Sequence, residues 1–177
     1  NQKGGVAKTT TSHALGTGLT QKGYKVLFVD LDPQANLTIA MDIDNPQHTV
    51  FDLLKREKTA EEIIISSDQG DILPADGSLA KAELALNETG KEHRLRIGLQ
   101  PIQANYDYII IDTPPALGIL AVNALTASTG VIIPAQADSF NLQGIAQLYN
   151  TIYTVREFCN PNLPVLGILL TRYNRRT

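Results

Sequence analysis

Sulfur is nearly missing from this chain. Cys159 is its one cysteine and Met41 its one methionine among 177 residues, and there is no tryptophan. A single cysteine excludes a disulfide framework, a four-thiolate zinc site and an iron–sulfur cluster held within the chain, and it fits a reducing cytoplasm. Long apolar runs are missing too. The longest are strand-sized, as at residues 108–111, far short of the ~18 residues a membrane span needs. Neither charge dominates: 15 Lys+Arg against 18 Asp+Glu leave a net −3. That balance argues against a wholly basic nucleic-acid binder and leaves room for a local basic patch. His13, His48 and His93 are too far apart in sequence for metal-ligand spacing. The chain also lacks repeats, low-complexity tracts and a signal-peptide pattern.

What is there suits one α/β domain. Hydrophobic residues make up 43% and charged residues 19%, enough apolar chain to bury a core and too much for a disordered tail. Apolar residues at helical spacing predict a helix over 8–21, ended by Gly23. The run Lys25-Val-Leu-Phe-Val-Asp30 reads as a buried strand. Short helices are expected over 50–55 and 60–66, a short strand over 71–74, and helical pattern over 78–103. Further strands are expected over 106–112, 131–134 and 165–170, with a helix over 142–158 before the last. Strands alternating with helices predict a doubly wound, mostly parallel sheet with helices on both faces. The chain opens on a Gly-rich segment with no strand ahead of it. The domain over 1–177 is therefore expected to be a piece lacking its first strand and its C-terminal helices.

The chemistry gathers in Lys3-Gly4-Gly5-Val6-Ala7-Lys8-Thr9-Thr10. Adjacent glycines let the backbone turn tightly, so that successive N–H groups point at an anion, and the helix that follows adds the positive end of its dipole. Lys8 can reach β/γ-phosphates and the Thr9 hydroxyl can ligate Mg²⁺. Ala7 stands where a standard phosphate loop carries glycine, so a positive φ there would cost roughly 1 kcal/mol. Two acidic segments follow: Val29-Asp30-Leu31-Asp32-Pro33-Gln34 and Ile109-Ile-Ile-Asp112-Thr-Pro-Pro115. Each ends a predicted strand, and ligands of doubly wound sheets bind outside the carboxyl ends of the strands.

Lys3 at the loop entrance, with Lys8 and Thr9, resembles the deviant Walker A motif, K-G-G-x-x-K-[ST], of the ParA/MinD superfamily of P-loop ATPases. The two acidic segments resemble that family's D-x-D-P-Q motif and its Walker B strand ending D-T-P-P. The runs Leu73-Pro74-Ala75, Asn123-Ala-Leu-Thr-Ala127, Ile133-Pro-Ala-Gln136 and Leu170-Thr-Arg-Tyr-Asn-Arg-Arg-Thr177 are similar to the ParA/Soj branch, the ATPases that partition plasmids and chromosomes.

The resemblance implies roles residue by residue. Lys8 neutralises the β/γ-phosphates, Thr10 adds a phosphate hydrogen bond, and backbone N–H groups of Gly4, Gly5, Val6, Ala7, Lys8 and Thr9 form the cradle. Lys3 reaches the nucleotide of a partner subunit, as an arginine finger does. Asp32 orients the attacking water, while Thr9, Asp30 and Asp112 lie around Mg²⁺, the carboxylates acting through its waters. Asn174 sits where a loop could meet the adenine. The implied function is slow ATP hydrolysis by an ATP-bound homodimer that binds DNA without sequence preference, stimulated by a ParB-type centromere-binding partner. Such a protein is cytoplasmic and nucleoid-associated, with no membrane partner. Arg172, Arg175 and Arg176 could supply phosphate contacts or merely solvate a helix start. The alternative is a MinD-like membrane-cycling ATPase that positions division machinery, which shares every phosphate-site residue. A nitrogenase-type reductase is set aside because it needs cluster cysteines.

Overall fold

The computed structural model describes residues 5–136 and 140–171, without the side chains of residues 140–143. Chain order runs α1 (Lys8–Gln21), β1 (Val26–Asp30), α2 (Asn36–Ala40), α3 (Val50–Lys55), α4 (Ala60–Ile63), β2 (Ile65–Ser67) and β3 (Gly70–Leu73). It continues through α5 (Ala82–Ala85), α6 (Arg94–Leu99), β4 (Tyr108–Asp112), α7 (Ile119–Ala127), β5 (Val131–Gln136), α8 (Phe140–Phe158) and β6 (Val165–Thr171).

Four strands form one sheet in the order β2-β3-β1-β4, and β5 and β6 form a second. All pairings are parallel except the β2–β3 hairpin. β1 pairs with β4 in a register that sets Asp30 opposite Asp112. Every residue of β1 is buried. Leu27 and Val29 join one apolar cluster, with Leu53, Leu73, Leu95 and Leu120, while Val26 and Phe28 join another, with Leu37, Met41 and Ile72. This alternation gives the strand two apolar faces, as a sheet covered by helices on both sides demands. The α/β class and mostly parallel sheet predicted from the sequence are thus present. Gly16 lets α1 lie directly on β1: a Cβ there would stand 2.2 Å from the Phe28 ring.

Among the described residues, β4 and β5 are each paired on one side only. Between them lies an apolar cleft of about 700 Å³, lined by Ile109, Ile111, Ile133 and Leu148 among others.

Three local expectations change. The helix expected over 60–66 stops at Ile63, and Ile65 begins β2. The Thr59–Glu62 capping box holds only one turn, and the β-branched run of residues 63–65 then favours extended chain. The helical pattern over 78–103 breaks into short pieces, interrupted at Leu86 and at Gly90, whose φ is 81°. Residues 119–127, for which the sequence carries no helix expectation, form α7, buried over most of its length.

Candidate functional site

The loop before α1 alternates its backbone handedness: Gly5 has φ 77° and Ala7 φ 66°. Glycine adopts that region freely, but Ala7 does so against the Cβ clash that the sequence warned of. Val6, between them, is wholly buried. Its carbonyl accepts a 3.1 Å bond from the Thr171 hydroxyl, and the Gly5 carbonyl accepts a 3.1 Å bond from Gln136 Nε2. The ends of β5 and β6 therefore brace the loop from outside.

α1 begins without a side-chain cap and without an acidic residue in its first turn. Neither a side-chain cap nor a first-turn carboxylate therefore occupies its first N–H groups, and the dipole end there suits an anion. Thr9 and Ser12, one turn apart, both turn to Asp112. Thr9 Oγ1 donates to Oδ2 at 2.6 Å and Ser12 Oγ donates to Oδ1 at 3.1 Å. Because the Thr9 proton is committed to Asp112, the hydroxyl lone pairs stay available to a hard cation.

Asp112 is 1% exposed, and burial pushes its carboxyl above the usual range; the Thr9 and Ser12 bonds and the nearby Lys8 charge pull it back. Burial likewise lowers Lys8 below an ordinary lysine, while Asp112 and Asp32 hold its proton on. Desolvation prevails over attraction at both groups. Lys8 and Asp112 are thus charges of opposite sign, short of water, beside an open helix start.

Asp32 is 8% exposed near the start of the loop after β1. Its Oδ1 accepts from Gln34 N at 3.0 Å, and its carbonyl accepts from Ala35 N at 2.9 Å. Leu31 N donates to the Asp112 carbonyl at 2.9 Å, which ties this loop to the end of β4.

Asp30, expected around Mg²⁺, turns its oxygens to the protein. It is 0% exposed, with Oδ1 accepting from Asp32 N at 3.0 Å and Oδ2 from Thr38 N and Oγ1 at 2.9 and 2.8 Å. Burial lifts its carboxyl to about 6 despite these bonds. In this arrangement Asp30 closes the loop that carries Asp32.

The structure therefore brings Gly5, Val6, Ala7, Lys8, Thr9 and Thr10 to the same edge as Asp30, Asp32 and Asp112, with Thr10 exposed. Lys3, Gly4, Asn174, Arg172, Arg175 and Arg176 lie outside the described residues. Ser12, Thr38, Gln136 and Thr171 join the site without having been singled out as site residues. Only Ser12 carried a usable signal, since it falls one helical turn after Thr9.

An AAA domain family model matches residues 1–165. The sporulation initiation inhibitor protein Soj of Bacillus subtilis is 44% identical over 182 residues, spanning all of this chain and 72% of that protein. A cobyrinic acid a,c-diamide synthase of Mycobacterium smegmatis, solved with ADP or an ATP analogue and magnesium, superposes with TM-score 0.96 at 41% identity. That match covers 100% of this chain and 74% of the other. A Borrelia burgdorferi plasmid partition protein follows with TM-score 0.87 at 28% identity, over 100% of this chain and 79% of the other. With its open helix start, Lys8 and Asp112 close enough to feel each other's charge, and these relatives, the chain belongs to the ParA/Soj family of P-loop ATPases.

Proposed function

We propose that this protein binds ATP with Mg²⁺ at the start of α1 and hydrolyses it slowly, using the nucleotide state to switch a homodimer on and off non-specific DNA during plasmid or chromosome segregation. The observation that carries the reading is the convergence of an uncapped helix start, Lys8 and Thr9 with Asp32 and Asp112. The M. smegmatis relative holds its nucleotide with magnesium, and the donor set here fits the same pair. A hydroxyl whose proton is already committed and a buried carboxylate are hard oxygen donors.

Each residue then has a task. Backbone N–H groups from Gly5 to Thr9 and the dipole of α1 hold the phosphates. Lys8 offsets charge on the β/γ-phosphates, and its partial burial strengthens that attraction. Thr9 and Asp112 hold the cation, which supplies further charge neutralisation on the phosphates. Asp30 stands behind them and fixes the loop of Asp32. Asp32 orients a water in line with the γ-phosphate. Lys3, supplied to the partner's nucleotide, makes dimerisation depend on ATP, and Asn174 meets the adenine. A ParB-type partner stimulates turnover in this reading, and Arg172, Arg175 and Arg176 contribute to the contact with DNA phosphates.

Binding of the complete protein to random-sequence duplex DNA, with ATP and with ADP across a salt series, tests the reading. Binding with ATP alone that weakens steeply with salt supports it. An ATP dimer that binds no DNA overturns the partition reading in favour of a membrane-cycling ATPase, and liposome binding is then the next measurement. Among the described residues no helix is long and apolar enough to cross a membrane.

A further inference from the structure

The loop that carries Asp32 is closed by a side-chain knot on its buried side. One carboxylate, Asp30, accepts from Asp32 N at the loop's start and from both Thr38 N and Thr38 Oγ1 in α2, which follows the loop. The Thr38 hydroxyl is used a second time: it accepts from Ala75 N at 2.9 Å, just beyond β3. Thr38 is 2% exposed and Asp30 0%, so water cannot replace either bond. Between the two ends the loop is otherwise held by turn bonds of its own, Gln34 N to Asp32 Oδ1 and Ala35 N to the Asp32 carbonyl, with Ala35 at φ 53°. A short left-handed turn of this kind does not fix its own direction. The anchors on both sides do, and Thr38 is the residue shared by the loop, by Asp30 and by the segment after β3.

We infer that Thr38, acting through Asp30, is a positioning residue for Asp32, and that its hydroxyl couples the segment after β3 to the orientation of the hydrolytic water. The inference rests on the reading of Asp32 given above. The hydroxyl's two bonds run in opposite senses, donor to Asp30 and acceptor from Ala75, so neither an apolar isostere nor a methyl can stand in for it. Thr38 faces no phosphate ligand of the proposed site directly; its bonds go to Asp30 and Ala75. Its loss therefore falls on the chemical step and spares nucleotide binding.

The test compares Thr38→Val, which keeps the shape and removes the hydroxyl, with Thr38→Ser, which keeps the hydroxyl. Steady-state ATP turnover is read per nucleotide-binding site, with binding sites counted by titration of a fluorescent ATP analogue. Thr38→Val is expected to lower kcat at least tenfold with KM for ATP changed less than twofold, and Thr38→Ser to restore kcat to within about twofold. A purely structural role lowers the count of binding sites and leaves kcat per site unchanged, and that result overturns the inference. Thr38→Ala repeats the test should the valine variant not fold. A tenfold loss in Thr38→Ser overturns it as well. Asp32→Ala separates the two levels. Turnover that survives Asp32→Ala defeats the reading of Asp32 itself, whereas turnover abolished there but normal in Thr38→Val defeats only the inference about Thr38.

Discussion

Thr9 and Asp112 lie 103 positions apart in the chain and are joined by a 2.6 Å hydrogen bond. That bond links the first turn of α1 to the end of β4 and fixes which way the threonine lone pairs face. Removing the carboxylate leaves two hydroxyls, Thr9 and Ser12, without their acceptor in a half-buried site. Asp112→Ala is expected to weaken Mg²⁺-dependent nucleotide binding by about tenfold or more, in line with the 1.5–3 kcal/mol of a hydrogen bond to a charged group. Nucleotide binding titrated with and without Mg²⁺ reads this directly. An affinity equal to that of the unmodified protein in Mg²⁺ removes Asp112 from the site.

Lys8 feels the charges of both Asp112 and Asp32, which hold its proton on against burial. Lys8→Ala removes the positive charge that the phosphates require and leaves the two carboxylates facing a polyanion. ATP affinity is expected to fall by about 100-fold or more, the size of a lost charge-assisted contact in a partly desolvated site. Isothermal titration measures it, and retained tight binding sinks the phosphate-loop assignment.

Ala7 holds φ 66°, a conformation that costs a Cβ-bearing residue about 1–2 kcal/mol. Ala7→Gly removes that cost and adds the greater backbone freedom of glycine in the unfolded chain, about 0.5–1 kcal/mol. The expected net is a small gain in stability, about 0.5–1 kcal/mol, with a melting temperature raised by roughly 1–4 °C. Urea unfolding of the nucleotide-free protein reads it. A loss of stability shows that the left-handed turn is not strained.

Asp30 supplies a pH prediction. Its carboxyl sits at about 6 in the folded protein because of burial, against about 3.9 in an unfolded chain. A raised folded pKa means the native state holds the proton more tightly. The associated stability is fully present below the unfolded pKa and is lost as pH rises through about 6. Two pH units correspond to about 3 kcal/mol. Asp30→Asn does not titrate, so the stability of the native protein relative to this variant is expected to fall by about that amount between pH 4 and pH 7. A flat difference across that range contradicts the shift.

The contiguous parts of this site were legible in the sequence, because their chemistry is local. Gly5, Lys8 and Thr9 form one loop and helix start, and Asp30 and Asp112 each end an apolar run whose register then sets them side by side. The residues that complete the site were not legible, since their roles depend on which segments meet. Gln136 and Thr171 matter because β5 and β6 end beside the loop, and Thr38 because Ala75 comes back to it. α7 escaped notice for a different reason. It is apolar nearly all round, with Ile119, Leu120, Ala121, Ala124 and Leu125 all buried, so it has no amphipathic period to detect. The one polar residue buried at its centre, Asn123, takes its partners from Leu95, Lys91 and Ile119, two of them distant in sequence.

The two open strand edges give the last prediction, and they bear on the expected first strand. Among the described residues, β4 and β5 each lack a neighbour on the side of the apolar cleft of about 700 Å³ between them. The phosphate loop enters above that cleft: its Gly5 and Val6 carbonyls are bonded to the ends of β5 and β6, and Thr9 to the end of β4. A chain segment that reaches the loop through the cleft would run parallel to both strands and would pair with both. We propose that an apolar strand ahead of Asn1 fits there. Adding six alternating Val and Ile residues before Asn1 is expected to raise stability by about 3 kcal/mol or more. This is the scale of burying two or three such side chains, with the previously unpaired backbone groups gaining partners as well. Six Ser and Gly residues at the same place serve as the control. Unfolding midpoints that do not separate the two extended chains defeat the proposal, because a cleft that gains nothing from an apolar strand is not a strand site.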